Sequence, residues 1–254
     1  MRIIDVHTHP VFMGDGADSG SSTSWVRRAR AAGVSHMVVL GDVLVHGRLP
    51  TAAQVAAIND TTHALVLRHR GFFTGFCALN PTLGERTTVA EIERCAALGF
   101  RGLKLEISNN ARDACMTPVM RAAARLGLVV LQHTWDQTHI RERRFHSDPV
   151  DTALLARRFP EVPVIMAHLT GIGWRGVLEA RGIDNLFVDT SGGQPEDGLV
   201  EFAVEKLGHH RVLYGSDMPI RETSVTIARI RGAAIPDASK RAILGGNTAR
   251  LLSL

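Results

Sequence analysis

The chain has 254 residues, 45% of them hydrophobic and 21% charged, with a formal net charge of +4. That composition supplies a sizeable core and excludes disorder as the main state. The length allows one or two domains, and a closed α/β barrel of roughly 250 residues fits it as a single unit.

The cations are dispersed. Only three of the 29 are lysines (Lys104, Lys206, Lys240), and only Arg141 to Arg144, read as Arg-Glu-Arg-Arg, approaches a cluster. With aromatics at 5% there is no stacking platform either, so no nucleic-acid partner is expected. Cys77, Cys95 and Cys115 are odd in number and scattered, which argues against a disulfide framework and against a paired-cysteine zinc site. No apolar run approaches the ~20 residues of a membrane span. A strand-like pattern that opens at Ile3 leaves no room for a signal peptide. The expectation is a cytoplasmic protein acting on a small molecule, away from membranes, as a monomer or a homodimer.

Taken in chain order, short apolar runs predict strands at residues 3–6, 37–40, 72–78, 102–107, 128–132, 162–167, 186–189 and 212–215. Between them, Ala, Leu and Arg at helical spacing predict helices such as 52–68, 89–98, 118–126 and 150–158. The strand-like runs lack polar alternation, as expected of parallel strands covered on both faces. Eight β-then-α units predict a (β/α)8 TIM barrel, one domain over residues 1–254. An open doubly wound sheet would call for a Gly-rich phosphate loop after an early strand, and Gly14-Asp15-Gly16 lacks the third glycine. Residues 14–24, rich in Gly and Ser, read as a loop over the mouth. Residues 135–148 form a second polar segment there, and 236–254 read as one or two closing helices.

Chemistry-bearing side chains gather at predicted strand ends. The first strand runs into Asp5-Val6-His7-Thr8-His9, which puts His7 and His9 on one face, about 6–7 Å of rise apart. Convergent imidazoles can share a divalent cation. Strand 5 ends at His133, strand 6 at His168 and strand 8 at Asp217. Barrel active sites sit at the C-terminal ends of the strands, so these five residues would meet at one rim. Nitrogen donors with one carboxylate suit Zn²⁺, Mn²⁺ or Fe²⁺ better than Mg²⁺ or Ca²⁺. His36, His63, His69, His209 and His210 fall elsewhere and read as solvated. His46, His139 and His146 are weaker candidates for the mouth.

On strand 4 the alternation puts Gly102, Lys104 and Glu106 on one face, toward the barrel interior. A buried ammonium needs a partner. Three roles stay open: an internal Lys104–Glu106 ion pair, a carboxylated Lys104 bridging two metals, or direct substrate or metal binding by either residue.

This ordered set resembles the amidohydrolase superfamily, and more narrowly its amidohydrolase-2 branch, which includes aminocarboxymuconate semialdehyde decarboxylase and several lactone hydrolases. The carriers are His7-Thr8-His9, Gly102-Leu103-Lys104, His133, Ala167-His168, Tyr214-Gly215-Ser216-Asp217-Met218-Pro219 and the closing stretch from Ile243 to Leu252. The resemblance implies that His7, His9, His133 and Asp217 are metal ligands, with Asp217 also a base. It implies that His168 is a second-metal ligand in a binuclear site or an acid/base in a mononuclear one. Many relatives carry histidine two residues after the lysine, where this chain has Glu106, which leaves the metal count at one or two.

The implied activity is hydrolysis of an ester, lactone or amide of a small organic acid. A bound cation, most simply Zn²⁺, lowers the pKa of water from about 15.7 to about 7. Asp217 would take its proton and His168 would serve the carbonyl or leaving group. Arg141, Arg143 or Arg144 could grip a substrate carboxylate. The alternatives are a non-oxidative decarboxylase of an unsaturated or aromatic acid, which the compact chain disfavours, and a catalytically silent metabolite-binding barrel.

Overall fold

The computed structural model describes residues 2–9, 19–41, 43–136, 141, 143–193 and 196–254. Eight parallel strands follow one another around a single sheet: β1 Ile3–Thr8, β2 Val34–Leu40, β3 Phe73–Leu79, β4 Gly102–Leu105, β5 Val129–Gln132, β6 Val164–Met166, β7 Leu186–Asp189 and β8 Val212–Leu213. The last meets the first through Val6 N–H donating to Tyr214 O at 2.9 Å and Asp217 N–H donating to His7 O at 2.8 Å. The predicted (β/α)8 barrel is therefore the fold.

Two apolar layers explain why these runs form strands. Val6, Val38, Phe76, Leu131, Ile165 and Leu213 fill the barrel. Leu103, Leu105, Val130, Val164 and Val188 face outward into the helical ring. Every strand is thus buried on both sides, the condition that gives unbroken apolar runs. Gly102 is required by this packing: a Cβ there would stand 2.5 Å from Phe76 Cζ and 2.6 Å from Val129 O.

The helices are α1 Ser19–Ala31, α2 Ala52–Arg68, α3 Glu85–Ala97, α4 Met116–Leu126, α5 Pro149–Arg158, α6 Leu169–Ala180, α7 Leu199–Leu207, α8 Thr223–Gly232, α9 Asp237–Arg241 and α10 Asn247–Leu252. Helix α2 has the predicted bounds, because Val55, Ile58, Thr62 and Leu65 form its buried stripe and Thr51 with Gln54 closes a capping box at its start. Such a cap contributes about 1 kcal/mol.

Three expectations need correction. The Gly/Ser-rich loop ends earlier than expected, since α1 begins at Ser19. Its buried Trp25, Val26 and Ala29 supply the apolar face that the preceding serines disguise, with Trp25 stacked on Phe73 at 5.2 Å. Residues 14–18 of that stretch lie outside the described residues. His36 is buried rather than solvated: Nδ1 faces Gly71 O at 3.2 Å and Nε2 faces Thr74 Oγ1 at 2.8 Å. The regular strands end sooner than the runs 102–107 and 212–215, at Leu105 and Leu213. Beyond Leu213 the chain stays beside β1 through the Tyr214 and Asp217 bonds and an isolated bridge between Thr8 and Met218. Among the described residues, no helix is long and apolar enough to cross a membrane.

Candidate metal centre

β1 carries His7 and His9 to the rim. His7 Nε2 lies 3.1 Å from His9 Nε2, and Asp217 Oδ1 lies 3.5 Å from the first and 3.7 Å from the second. In a tetrahedral shell with bonds near 2.1 Å, neighbouring donors stand about 3.4 Å apart. The three atoms therefore have the spacing of ligands around one ion, and all three residues are buried.

Asp189, at the end of β7, sets the direction of His7. Its Oδ2 is 2.9 Å from His7 Nδ1, while Oδ1 accepts from His168 N at 3.2 Å and from the backbone N and Oγ of Ser191. A proton on His7 Nδ1, shared with Asp189, leaves the Nε2 lone pair facing His9 and Asp217. This is how an outer carboxylate fixes the tautomer of a metal-binding histidine. Sequence reading passed over Asp189 and Ser191. The available signal was an acidic residue at the C-terminal end of a barrel strand, the position that marks His133, His168 and Asp217.

His133 and Glu106 form the neighbouring part of the mouth. Glu106 Oε1 is 3.1 Å from Lys104 Nζ and Oε2 is 3.6 Å from His133 Nδ1. The Lys104–Glu106 pair is thus the internal ion pair that strand alternation predicts, with Lys104 fully buried. His133 does not fall within the tight cluster of His7, His9 and Asp217. Its ring meets His168 edge-on at 4.7 Å, and His168 in turn lies 4.9 Å from His7. His168 and Asp217 both hold left-handed backbone, φ 71° and 63°, a conformation that costs a non-glycine residue of order 1–3 kcal/mol. It aims both side chains into the mouth.

Burial governs the protonation of the cluster. It pushes His7, His9 and His133 well below the usual histidine range and brings His168 down to about 3, with the Lys104 ammonium adding to the effect. The imidazoles are therefore neutral, the form that binds metal. Burial also pushes Asp217 up to about 7, with Lys104 partly offsetting it. Among the described residues this carboxyl touches only neutral imidazoles, Lys104 being paired with Glu106, and a divalent cation would supply the charge in direct contact. The residues present fit such an ion.

Trp135 closes one side of the mouth. Its ring lies 5.4 Å from that of His168, and a Cβ on Gly171 would stand 2.6 Å from it, so only glycine allows this approach. At 37% exposure the indole presents surface to the opening. The weaker candidates lie further out. His146 takes a 2.7 Å contact from Arg48 Nη1, with its ring 6.0 Å from His133, and His46 is exposed. His139 falls outside the described residues. Arg143 pairs with Asp148 at 3.4 Å, Arg144 lies over Phe145, and Arg141 is exposed.

No curated protein sequence matches this chain. Among solved structures, 2,6-dihydroxybenzoate decarboxylase from Rhizobium superposes with a TM-score of 0.80 at 15% identity, over 100% of this chain and 99% of that one. The 5-carboxyvanillate decarboxylase of Sphingomonas paucimobilis gives 0.75 at 17%, over 100% and 99%. A dihydroxybenzoic acid decarboxylase from Polaromonas sp. JS666, with bound manganese, gives 0.73 at 17%, over 100% and 96%. These likenesses show the shared barrel. The Amidohydrolase family profile matches residues 4–254, and the chain belongs to that family.

Proposed function

We propose that this protein is a metal-dependent, non-oxidative decarboxylase of a small planar acid, aromatic or conjugated, holding one divalent transition-metal ion per chain. The observation that carries the reading is the Trp135 indole standing against His168 at the opening above the His7–His9–Asp217 cluster. An aromatic wall beside a buried cationic site suits a flat anion, and aromatic pairs contribute about 0.5–1.5 kcal/mol beyond burial. The decarboxylases of similar fold, which act on aromatic acids by name, support the same choice.

His7, His9 and Asp217 would hold the ion, with His133 as a further nitrogen. Glu106 stands at Nδ1 of that ring, which leaves Nε2 as its donor atom. This donor set accommodates Mn²⁺, Fe²⁺ or Zn²⁺. When bound, the ion supplies positive charge that attracts and orients an anionic substrate oxygen.

The rest falls to the chain. Trp135 would lie along the substrate plane. His168 Nδ1 is 3.1 Å from Thr134 O, which assigns the ring proton to that side and leaves Nε2 to accept a hydrogen bond from a substrate hydroxyl. Electron density polarised there moves toward the carbon bearing the carboxylate. That carbon takes a proton, which the Asp217 carboxyl would deliver. The carbon–carboxylate bond then breaks, CO₂ leaves, and the bonding pair returns to the conjugated system. Lys104, paired with Glu106, holds the positive charge of the inner wall.

The test is a panel of hydroxybenzoic and conjugated acids, together with lactones, esters and amides, supplied to protein loaded with Mn²⁺ or Zn²⁺. Stoichiometric CO₂ is expected from a planar acid. Release of a new carboxylate from a lactone, ester or amide without CO₂ would replace this reading with hydrolysis. Stoichiometric metal without turnover of any class would leave a binding barrel.

A further inference from the structure

Helix α8 turns Val225, Thr226 and Arg229 toward a cavity of about 190 Å³. The opposite wall is the segment 190–193 that follows β7, and Arg221 stands at the rim. Arg229 is the anomaly. Its Nε and Nη2 are sealed from solvent and have no hydrogen-bond partner among the described residues. A guanidinium stays charged in proteins, and a buried charge without an acceptor is costly.

The neighbours attract it, Tyr214 and Asp189 among them, but none of the described ones accepts a bond from those two atoms. Tyr214 OH is engaged with Thr226 Oγ1 at 2.9 Å, and Asp189 is committed to His7, His168 and Ser191. Arg221 is held at the rim by Gly192 O at 2.8 Å and Ile220 O at 3.3 Å, carbonyls that do not cancel its charge. Among the described lining residues the one carboxylate, Glu222, caps its own helix, with Oε1 accepting from Ser224 N at 3.4 Å and Ser224 Oγ at 3.3 Å. Two guanidinium groups thus share one small cavity, and the Nε and Nη2 of Arg229 find no acceptor among the described residues.

The cavity also shares a wall with the metal centre. Gly192 and Gly193 line it, yet a Cβ on Gly192 would stand 3.0 Å from His168 Cβ, and one on Gly193 would stand 3.6 Å from the Trp135 ring.

We propose that this cavity is an oxyanion site, taking a carboxylate or phosphate group on Arg229 with Arg221 as the second cation. A planar fork with several donors matches such groups, and charge-assisted bonds of this kind are the strong ones. The anion could be a free small molecule or a second acidic group on the compound bound at the metal. The proposal stands whether or not the protein is a decarboxylase.

The test is calorimetric titration at constant ionic strength of wild type, Arg229→Met, Arg229→Lys and His7→Ala. One arm uses inorganic phosphate, and the other compares benzene-1,3-dicarboxylate with benzoate on metal-loaded wild type and Arg229→Met. A free-anion site predicts one phosphate per chain, about ten- to a hundredfold weaker in Arg229→Met, intermediate in Arg229→Lys and unchanged in His7→Ala. A site for the ligand's second acidic group predicts that the dicarboxylate binds about tenfold or more tighter than benzoate, with the gain lost in Arg229→Met. Arg229→Met should melt no lower than wild type in anion-free buffer, since it removes an unpaired buried cation. Binding unaltered by Arg229→Met in both arms, or absent from wild type in both, would overturn the proposal.

Discussion

Among the described residues, two clusters bring three side chains of metal-ligating type within 4.8 Å of one another: His7, His9 and Asp217 at the rim, and Cys77, Glu91 and Cys95 between β3 and α3. Burial acts on them in opposite senses. It strips the proton from imidazole, leaving the form that ligates. It raises the Cys77 thiol well above its ordinary range, keeping the form that does not. The acids differ as well. Burial works against the Glu91 anion, but hydrogen bonds from Arg94 and Asn59 more than offset it and bring the carboxyl below its usual range. Arg94 Nε and Nη2 reach it at 2.8 and 2.7 Å, and Asn59 Nδ2 at 2.7 Å. Asp217 has no such pairing and stays near 7. Proximity of donors is common. A centre fit for metal also needs them in the ligating form and short of positive charge.

That contrast can be broken at either cluster. The largest effect belongs to Asp217→Asn, which removes the carboxylate of the proposed rim site: metal content by elemental analysis and turnover should both fall to background. Asp189→Asn comes next. It leaves every ligand in place but loosens the tautomer of His7, so metal affinity measured by chelator competition should weaken about ten- to a hundredfold with the fold intact by circular dichroism. Trp135→Ala should keep its metal and raise KM roughly two- to tenfold with little change in kcat, the scale of one aromatic contact. Arg94→Ala reads the other cluster. It should leave metal content unchanged while lowering stability in urea by about 1–3 kcal/mol, because Glu91 loses its partner. Metal lost from Arg94→Ala but kept by Asp217→Asn would reverse the comparison.

The barrel was legible because its strands are sandwiched between two apolar layers, and such strands announce themselves as unbroken runs. The ends of the runs were less so. Beyond Leu105 and Leu213 the regular ladder gives way to isolated contacts, a change that hydrophobicity does not record. Helix α1 was hidden by its serines, although Trp25 and Ala29 already carried its buried face. At the site, His7, His9 and Asp217 could be read from strand-end position. The separation of His133 from that cluster could not, because it depends on side-chain placement around the rim rather than on position along a strand. Asp189 shows the converse: its position was visible, but its role rests on a 2.9 Å contact to a residue 182 positions away. Arg229, whose buried Nε and Nη2 find no partner among the described residues, looks in sequence like any other helical arginine.

Elemental analysis of the wild-type protein beside His7→Ala, each purified without chelator and reloaded with the same divalent metal, tests the central claim most directly. One ion per wild-type chain and almost none in the variant is the predicted result. Equal metal in both proteins, or none in either, would contradict the assignment of the rim cluster as a metal centre.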